Sequence, residues 1–124
     1  MTFLKSDLTK EWNIEDSGTD LITCSLELEH IKDLNFIFSE ASKKLEINGH
    51  LFISELHPFK QYSGSKAKYG TDNGTQELET YVHHISEYLS AAHNNGFKLI
   101  ELNEWFDELT ENEIPRLISF VFQK

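Results

Sequence analysis

The sequence is short of several residue types, and each shortage excludes a class of protein. A single cysteine, Cys24, excludes an intrachain disulfide and a zinc site built from several cysteines. Lysine and arginine total 11 against 21 acidic residues, and the net charge of −10 disfavours nucleic acid and anionic membranes as partners. The chain lacks a signal-peptide segment at its start and any run of about 20 apolar residues. For 124 residues these features predict one cytoplasmic domain.

The residues that are present alternate between apolar runs and amphipathic stretches. Five runs predict strands, at residues 2–4, 21–26, 51–56, 97–102 and 116–122. Two stretches predict helices from apolar residues at helical spacing, the first with Leu34, Ile37, Phe38, Ala41 and Leu45 and the second with Tyr81, Ile85, Tyr88, Leu89 and Ala92. Asp33 is expected to cap the first helix, and Asn48-Gly49 and Asn95-Gly96 are expected to end the two helices.

This order of elements predicts an α/β domain with a mainly parallel sheet, in which the last two strands form an antiparallel pair at one end. The pattern lapses between residues 59 and 79, which we interpret as a lid or a substrate loop. In the stretch DLITCSLELEHI, residues 20–31, the apolar run stops at Ser25 and a polar segment with a histidine follows. That arrangement is typical of a buried parallel strand whose carboxyl end opens into a binding cleft.

The segment DLITCSLELEHIKDLNFIFSEASKKLEINGHLFISELHP resembles the fourth strand, the following helix and the fifth strand of class I S-adenosylmethionine-dependent methyltransferases of the small-molecule type. FKLIELNEWF and PRLISFVFQK resemble the sixth strand and the antiparallel seventh strand of that family, and residues 2–9 resemble the end of its third strand. The likeness covers essentially the whole chain. It implies a Rossmann-like methyltransferase fold and S-adenosylmethionine as the cofactor.

The family's first two strands, its Gly-rich loop and its ribose-binding carboxylate have no counterpart among these residues. The glycines are dispersed and form no G-x-G-x-x-G turn, which would let backbone amides approach a cofactor closely. We therefore expect an incomplete methyltransferase domain that contains the third to seventh strands, from an incomplete gene or a shortened chain.

The resemblance also implies cofactor-binding residues at the ends of the strands. Asp7 would accept a hydrogen bond from the exocyclic amine of adenine, and Leu8 would offer its backbone to the same ring. The positions that match the loop beside the sulfonium and methionine groups are Cys24, Ser25 and Leu26. A turn or helix cap is the alternative for Asp7, and a buried, inert thiol is the alternative for Cys24.

Two histidines are the candidate catalytic residues that the resemblance implies. His30 lies within a turn of the sulfonium loop, and His57 follows the fifth-strand counterpart, where acceptor substrates sit in this family. A neutral imidazole suits a general base near neutral pH. The substrate side of the site would also contain Tyr62, His83 and His84. The alternative for His30 is a helix-start or surface position. The alternative for the adjacent residues His83 and His84 is a solvated helix face.

Two functions remain open. The first is a methyltransferase acting on a small molecule, present as a truncated C-terminal portion that is inactive by itself. The second is a non-catalytic remnant that serves as an interaction or dimerisation module. Without the family's first strand, the edge at residues 21–26 would be open, which predicts a homodimer. No metal site is expected, because His83 and Glu87 share a helical face without a third ligand.

Overall fold

The computed structural model describes residues 3–59, 68–71, 74–77, 80–106 and 114–124. Its strands are β1 (Thr19–Ser25), β2 (Leu45–Leu56), β3 (Lys68–Thr71), β4 (Gly74–Glu77), β5 (Lys98–Trp105) and β6 (Leu117–Gln123). Its helices are α1 (Leu34–Lys44) and α2 (Ile85–Asn94), and a short 3₁₀ helix at Leu28–His30 follows β1. Strands and helices thus alternate over most of the chain, as in an α/β domain.

The main sheet has the strand order β1-β2-β6-β5. β1 and β2 pair in parallel, whereas β6 is antiparallel to both β2 and β5. Three strands therefore share one direction and the last runs against them, which confirms the predicted mainly parallel sheet with an antiparallel last strand. β3 and β4 form a separate antiparallel pair within the predicted lid. Because β1, β2 and β5 run the same way, their carboxyl ends lie together at one end of the strands. This end of the sheet is here called the carboxyl edge, and it is distinct from the outer strands of the sheet.

The core lies between one face of the main sheet and the two helices. The inward residues of β2 and β6 are almost fully buried, namely Leu51, Ile53, Ile118, Phe120 and Phe122. Phe38 of α1 is 0% exposed and meets the rings of Phe97 and Phe122 edge-on, at centroid distances of 5.9 and 5.4 Å. Edge-on aromatic pairs add about 0.5–1.5 kcal/mol to the free energy gained from burial alone.

Local capping signals set the start of α1 and the end of α2. The side chain of Asp33 accepts a hydrogen bond from the amide of Phe36 at 3.1 Å, which confirms the predicted cap. α2 ends just before Asn95-Gly96, also as predicted. Gly96 has a φ of +81°, a left-handed conformation that glycine adopts without the steric cost of a side chain.

The predicted end of α1 at Asn48-Gly49 is wrong, because the helix ends at Lys44 and β2 begins at the next residue. Pairing with β1 explains the difference. Thr19 of β1 pairs with Leu45, and the register shifts before the next pair. Asn48 has a φ of +70° and lies in this irregular part of β2. Its left-handed conformation therefore serves an irregularity of the strand and not a helix stop.

The predicted strand at residues 2–4 is also wrong for the two positions that the structure describes. Phe3 and Leu4 lie outside the sheet and are 86% and 68% exposed. A strand needs a partner for its backbone groups, and the residues that follow are held by α1 instead. The amide of Trp12 donates to Oε1 of Glu40 at 2.8 Å, and further on the segment makes main-chain hydrogen bonds to the end of α1.

The face of the main sheet away from α1 and α2 is not covered by any described element. Leu21, Phe52 and Trp105 lie on this face and are 54%, 36% and 53% exposed. β1 is in addition an outer strand of the sheet, with a partner on one side only among the residues described. Parallel strands are normally buried on both faces, so this uncovered face and the β1 edge are surfaces on which a further element would pack.

Replacement of Phe38 by alanine is expected to destabilise the fold by about 3–5 kcal/mol, because it removes a fully buried ring and leaves a cavity against Phe97 and Phe122. The measurement is the free energy of unfolding in urea. The matched control is Phe3→Ala, which removes a ring that is 86% exposed and should change stability by less than about 0.5 kcal/mol. Equal losses in the two variants would contradict this assignment of the core.

Candidate functional site

Polar side chains collect at the carboxyl edge, where β1, β2 and β5 end at Ser25, Leu56 and Trp105. In open α/β sheets ligands bind outside this edge, in the crevice shaped by the loops that follow the strands. The candidate site therefore consists of the turn after β1 and the side chains that surround it.

The turn after β1, residues 26–31, is called the post-β1 turn. Leu26 leaves the sheet with a φ of +53°, a left-handed conformation that few non-glycine residues adopt. Its amide still donates to the carbonyl of Ser54 on β2 at 2.9 Å. Ser25 and Leu26 are both exposed. These two predicted cofactor-binding residues are therefore accessible from the carboxyl edge.

Cys24, the third residue predicted to lie beside the sulfonium, is partly buried at the end of β1. Burial raises the pKa of its thiol to about 12, and the nearby charges of Glu55 and Glu27 raise it further in the same direction. The thiol is therefore protonated at neutral pH, and nucleophilic attack or metal binding through a thiolate is disfavoured.

Glu55, near the end of β2, holds the first amides of the post-β1 turn. Its side chain is 1% exposed, and its two carboxylate oxygens accept hydrogen bonds from the amides of Glu27 at 3.1 Å and Leu28 at 3.0 Å. Burial raises the pKa of Glu55 to about 7, although the two amide hydrogen bonds act in the opposite direction. A buried carboxyl group that titrates near neutral pH thus contacts the loop at the carboxyl edge.

His83, predicted to bind substrate, contacts the other end of the same turn. Its ring is 4% exposed, and its Nε2 lies 2.6 Å from the carbonyl oxygen of Ile31 and 3.1 Å from that of Leu28. Its Nδ1 lies 3.2 Å from Oε2 of Glu87. Burial works against ionisation of Glu87, but the hydrogen bonds from His83 and from the His84 amide outweigh it and lower the pKa of this carboxyl group.

His57, one of the two predicted catalytic residues, is completely buried just beyond β2. Its Nδ1 accepts a hydrogen bond from the amide of Phe59 at 3.1 Å, so Nε2 carries the proton and donates to Oε2 of Glu104 at 2.6 Å. This bond joins the end of β2 to β5. Both ring nitrogens are therefore engaged within the chain, and the catalytic role of His57 stays a prediction.

The other predicted histidines are more accessible. The side chain of His30, in the 3₁₀ helix, is 26% exposed, and its Nε2 lies 3.6 Å from Oε1 of Glu29. The side chain of His84, which precedes the first turn of α2, is 55% exposed and lies 3.8 Å from Glu87. Tyr62, the remaining residue predicted on the substrate side, lies outside the described residues.

Asp7 and Leu8, the residues predicted to bind adenine, make their hydrogen bonds within the N-terminal segment. Oδ1 of Asp7 accepts from the hydroxyl and the amide of Thr9 at 2.6 and 2.9 Å, and these bonds lower the pKa of Asp7. The carbonyl of Leu8 accepts from Nε1 of Trp12 at 3.0 Å. An apolar cavity of about 270 Å³ lies beside Leu8 and Trp12. Asp7 thus forms the turn that was its alternative role, while a role in binding adenine stays a prediction.

Two acidic residues of the site are missing from the sequence-based prediction. Glu55 occupies an inward position of β2, two residues after Ile53 and four after Leu51. A charged residue in phase with the buried positions of a strand is a signal that the sequence does contain. Glu104 carries no such signal, because its contact with His57 depends on how β5 is placed in the sheet.

Metal sites and membrane-spanning helices are two further features to consider in the described part of the chain. In those ranges, no three His, Cys, Asp or Glu side chains come close enough together to hold a metal ion. No helix described here has the length and apolar character needed to cross a membrane.

Several solved structures with the same fold are S-adenosylmethionine-dependent methyltransferases. One from Mesorhizobium loti matches 99% of this chain with a TM-score of 0.81 and 18% sequence identity. Others from Clostridium acetobutylicum and Archaeoglobus fulgidus match 97% and 98% of the chain, with TM-scores of 0.73 and 0.71 and 15% identity in each case. This chain spans 69%, 63% and 66% of the three proteins, respectively.

At such low identities the likeness shows the fold alone. The chain has a class I methyltransferase-like, Rossmann-like fold, which confirms at this level the resemblance seen in the sequence. A scan against protein-family models and a search of curated proteins found no match.

Raising the pH from about 5 to about 8 is expected to lower the stability of the wild type relative to Glu55→Gln by up to about 3 kcal/mol. The raised pKa means that the folded state holds the proton of Glu55 more tightly than the unfolded state. This contribution to stability is present below the unfolded pKa and is lost as the pH rises through about 7. Urea unfolding at several pH values measures it.

The matched control for this experiment is Glu46→Gln, which removes an exposed carboxylate from the same strand. Its stability should follow the pH dependence of the wild type. If the wild type and Glu55→Gln changed equally with pH, Glu55 would not be the titrating group.

Proposed function

We propose that the 124 residues carry the C-terminal portion of a cytoplasmic S-adenosylmethionine-dependent methyltransferase that acts on a small molecule. The observation that carries this proposal is the fold match over 99% of the chain at a TM-score of 0.81. The exposed residues at the carboxyl edge support it, because this is where α/β sheets bind ligands. The net charge of −10 supports a small-molecule acceptor over nucleic acid.

The residues at the end of β1 fit one side of the cofactor. S-adenosylmethionine supplies an electrophilic methyl group on a positively charged sulfonium. The exposed Ser25 and Leu26 would hold the methionine portion, and the exposed carboxylate of Glu27 next to them favours a cation. The apolar cavity beside Leu8 suits a flat ring such as adenine. Backbone amides of a Gly-rich turn, which would hold the rest of the cofactor, are absent from the sequence.

His30 and His57 are proposed to act on the methyl acceptor. They differ in accessibility, because His30 is partly exposed whereas His57 is buried and hydrogen-bonded. His30 is partly exposed and sits on the post-β1 turn, so it can reach a ligand in the conformation described. His57 must first leave Glu104 before its Nε2 can bind anything else. The acceptor would further contact Tyr62, His84 and the surroundings of His83. Proton removal by either histidine matters only for an acceptor that must lose a proton.

These residues by themselves are expected to bind S-adenosylmethionine weakly or not at all. The missing Gly-rich loop and ribose carboxylate would each contribute hydrogen bonds worth about 1–3 kcal/mol, so their loss weakens binding by roughly a hundredfold or more. Calorimetry with S-adenosylmethionine and S-adenosylhomocysteine measures this. A micromolar dissociation constant for the purified 124-residue chain would contradict the expectation.

The matched comparison is between the 124-residue chain and a longer chain that includes residues encoded immediately upstream of codon 1. If the upstream DNA encodes an in-frame strand followed by a Gly-rich turn, the extended chain should bind both compounds at least a hundredfold more tightly than the 124 residues do. An extended chain that folds and still fails to bind would contradict the proposed methyltransferase function itself.

The alternative function is a non-catalytic remnant that serves as a dimerisation module. The uncovered sheet face and the open β1 edge favour it. An edge strand with unpaired amides and carbonyls is a template for another strand, and exposed apolar residues beside it add to the attraction. A second copy of the chain is the simplest occupant, because a two-fold contact closes on itself.

The chain is therefore expected to self-associate, giving about twice its mass of 14.4 kDa in light scattering at micromolar concentration. Leu21→Lys should return it to the monomer, because it places a charge on the uncovered face at β1. The matched control is Ile47→Lys, which replaces an apolar residue that is 80% exposed in the irregular part of β2. A cooperatively folded wild-type monomer would contradict this prediction.

A further inference from the structure

We propose that Glu55 and His83 are positioning residues that hold the post-β1 turn from its two ends and thereby place His30. The turn's role beside a cofactor rests on the proposed function, whereas the way in which the turn is held does not. His83 was expected from sequence to face the substrate, and Glu55 was not expected at the site. His83 is 4% exposed and Glu55 is 1% exposed, and both lie directly behind the turn.

The amide end of the turn is held by a carboxylate. The first amides of a 3₁₀ helix have no acceptor within the helix, and the side chain of Glu27 provides no cap. Glu55 supplies the acceptors from β2, one carboxylate oxygen for the amide of Glu27 and the other for that of Leu28.

The carbonyl end of the turn is held by the imidazole of His83. Nε2 of His83 faces two carbonyl oxygens, which accept only, so this nitrogen carries a hydrogen. Nδ1 lies 3.2 Å from Oε2 of Glu87, so the ring is held on its other side by α2. The lowered pKa of Glu87 is consistent with a carboxylate in this pair. The ring of His83 therefore links the carbonyl end of the turn to α2.

A main-chain hydrogen bond fixes the middle of the turn. The amide of Tyr81 donates to the carbonyl of Glu29 at 2.7 Å. Residues from β2 and from the segment that leads into α2 thus contact successive backbone groups of one short turn. His30 lies between the held positions, since the carbonyls of Leu28 and Ile31 flank it. Its placement therefore depends on Glu55 and His83, through the backbone groups that they hold.

The role of Glu55 is tested by nuclear magnetic resonance on the ¹⁵N-labelled wild-type chain. The amide signals of Glu27 and Leu28 should both titrate with a common midpoint near pH 7 as their shared acceptor is protonated. The titration should vanish in Glu55→Gln and persist in Glu46→Gln. Cys24 and Tyr88, which also lie near Glu55, do not titrate in this range because burial raises their pKa values far above it.

Two outcomes of this titration would overturn the role of Glu55. In the first, the Glu27 and Leu28 amides of the wild type do not respond between about pH 5.5 and 8.5. In the second, they respond equally in Glu55→Gln, which would show that Glu55 is not the group whose protonation these amides report. The wild-type measurement alone decides the first outcome, so it does not depend on whether a variant folds.

The role of His83 is tested by amide hydrogen exchange in His83→Gln. Loss of its two carbonyl contacts should speed exchange of the His30 and Ile31 amides by roughly tenfold, the equivalent of one buried hydrogen bond. The matched control, His93→Gln, changes an exposed histidine of α2 and should leave both rates unchanged. Unchanged rates in His83→Gln, or equal acceleration across β2, would overturn a specific hold on the turn.

S-adenosylhomocysteine distinguishes failure of this inference from failure of the proposed function. If it binds, Glu27, Leu28 and His30 should be among the amides whose signals shift, and Glu55→Gln should weaken binding more than Glu46→Gln does. Equal weakening in the two variants would overturn the link between the turn and the ligand. Absence of binding to an extended, folded chain would contradict the proposed function, while the titration and exchange results would still decide how the turn is held.

Discussion

The main sheet depends on β6, which lies between β2 and β5 and runs against both. β2 and β5 do not pair with each other, and each is joined to β6 by a ladder along most of its length. Because β6 has a strand partner on each side, it can be apolar and central without leaving backbone groups unsatisfied. Its inward residues Ile118, Phe120 and Phe122 are 0% exposed. The position of every polar group that β2 and β5 bring to the carboxyl edge follows from these two ladders.

Burial at the carboxyl edge has a cost that hydrogen bonds offset. An ionisable group removed from water loses several kcal/mol of solvation unless partners replace that water. Glu55 has two backbone amides, and His57 has Glu104 on one nitrogen and the Phe59 amide on the other. Apolar residues of similar volume would avoid this cost. What the polar residues add is a defined geometry, since each bond fixes the loop that supplies its partner.

The sequence predicts those features whose causes are local. Asp33 begins α1 and Gly96 follows α2 because capping depends on neighbouring residues alone. The end of α1 at Lys44 depends on pairing between Leu45 and Thr19, which are far apart in the chain. The contacts of His83 with Leu28 and Ile31 join residues more than 50 positions apart, so no local pattern reveals them.

The degree of burial of each candidate residue limits which of them can contact a ligand. Moving His57 away from Glu104, or His83 away from the turn carbonyls, would leave buried groups without partners, at a cost of about 1–3 kcal/mol for each group. Ser25, Leu26 and His30 can meet a ligand without that cost, because their side chains are already at least partly exposed. The inner side of the post-β1 turn therefore serves the fold, and its outer side is the part that a ligand could reach.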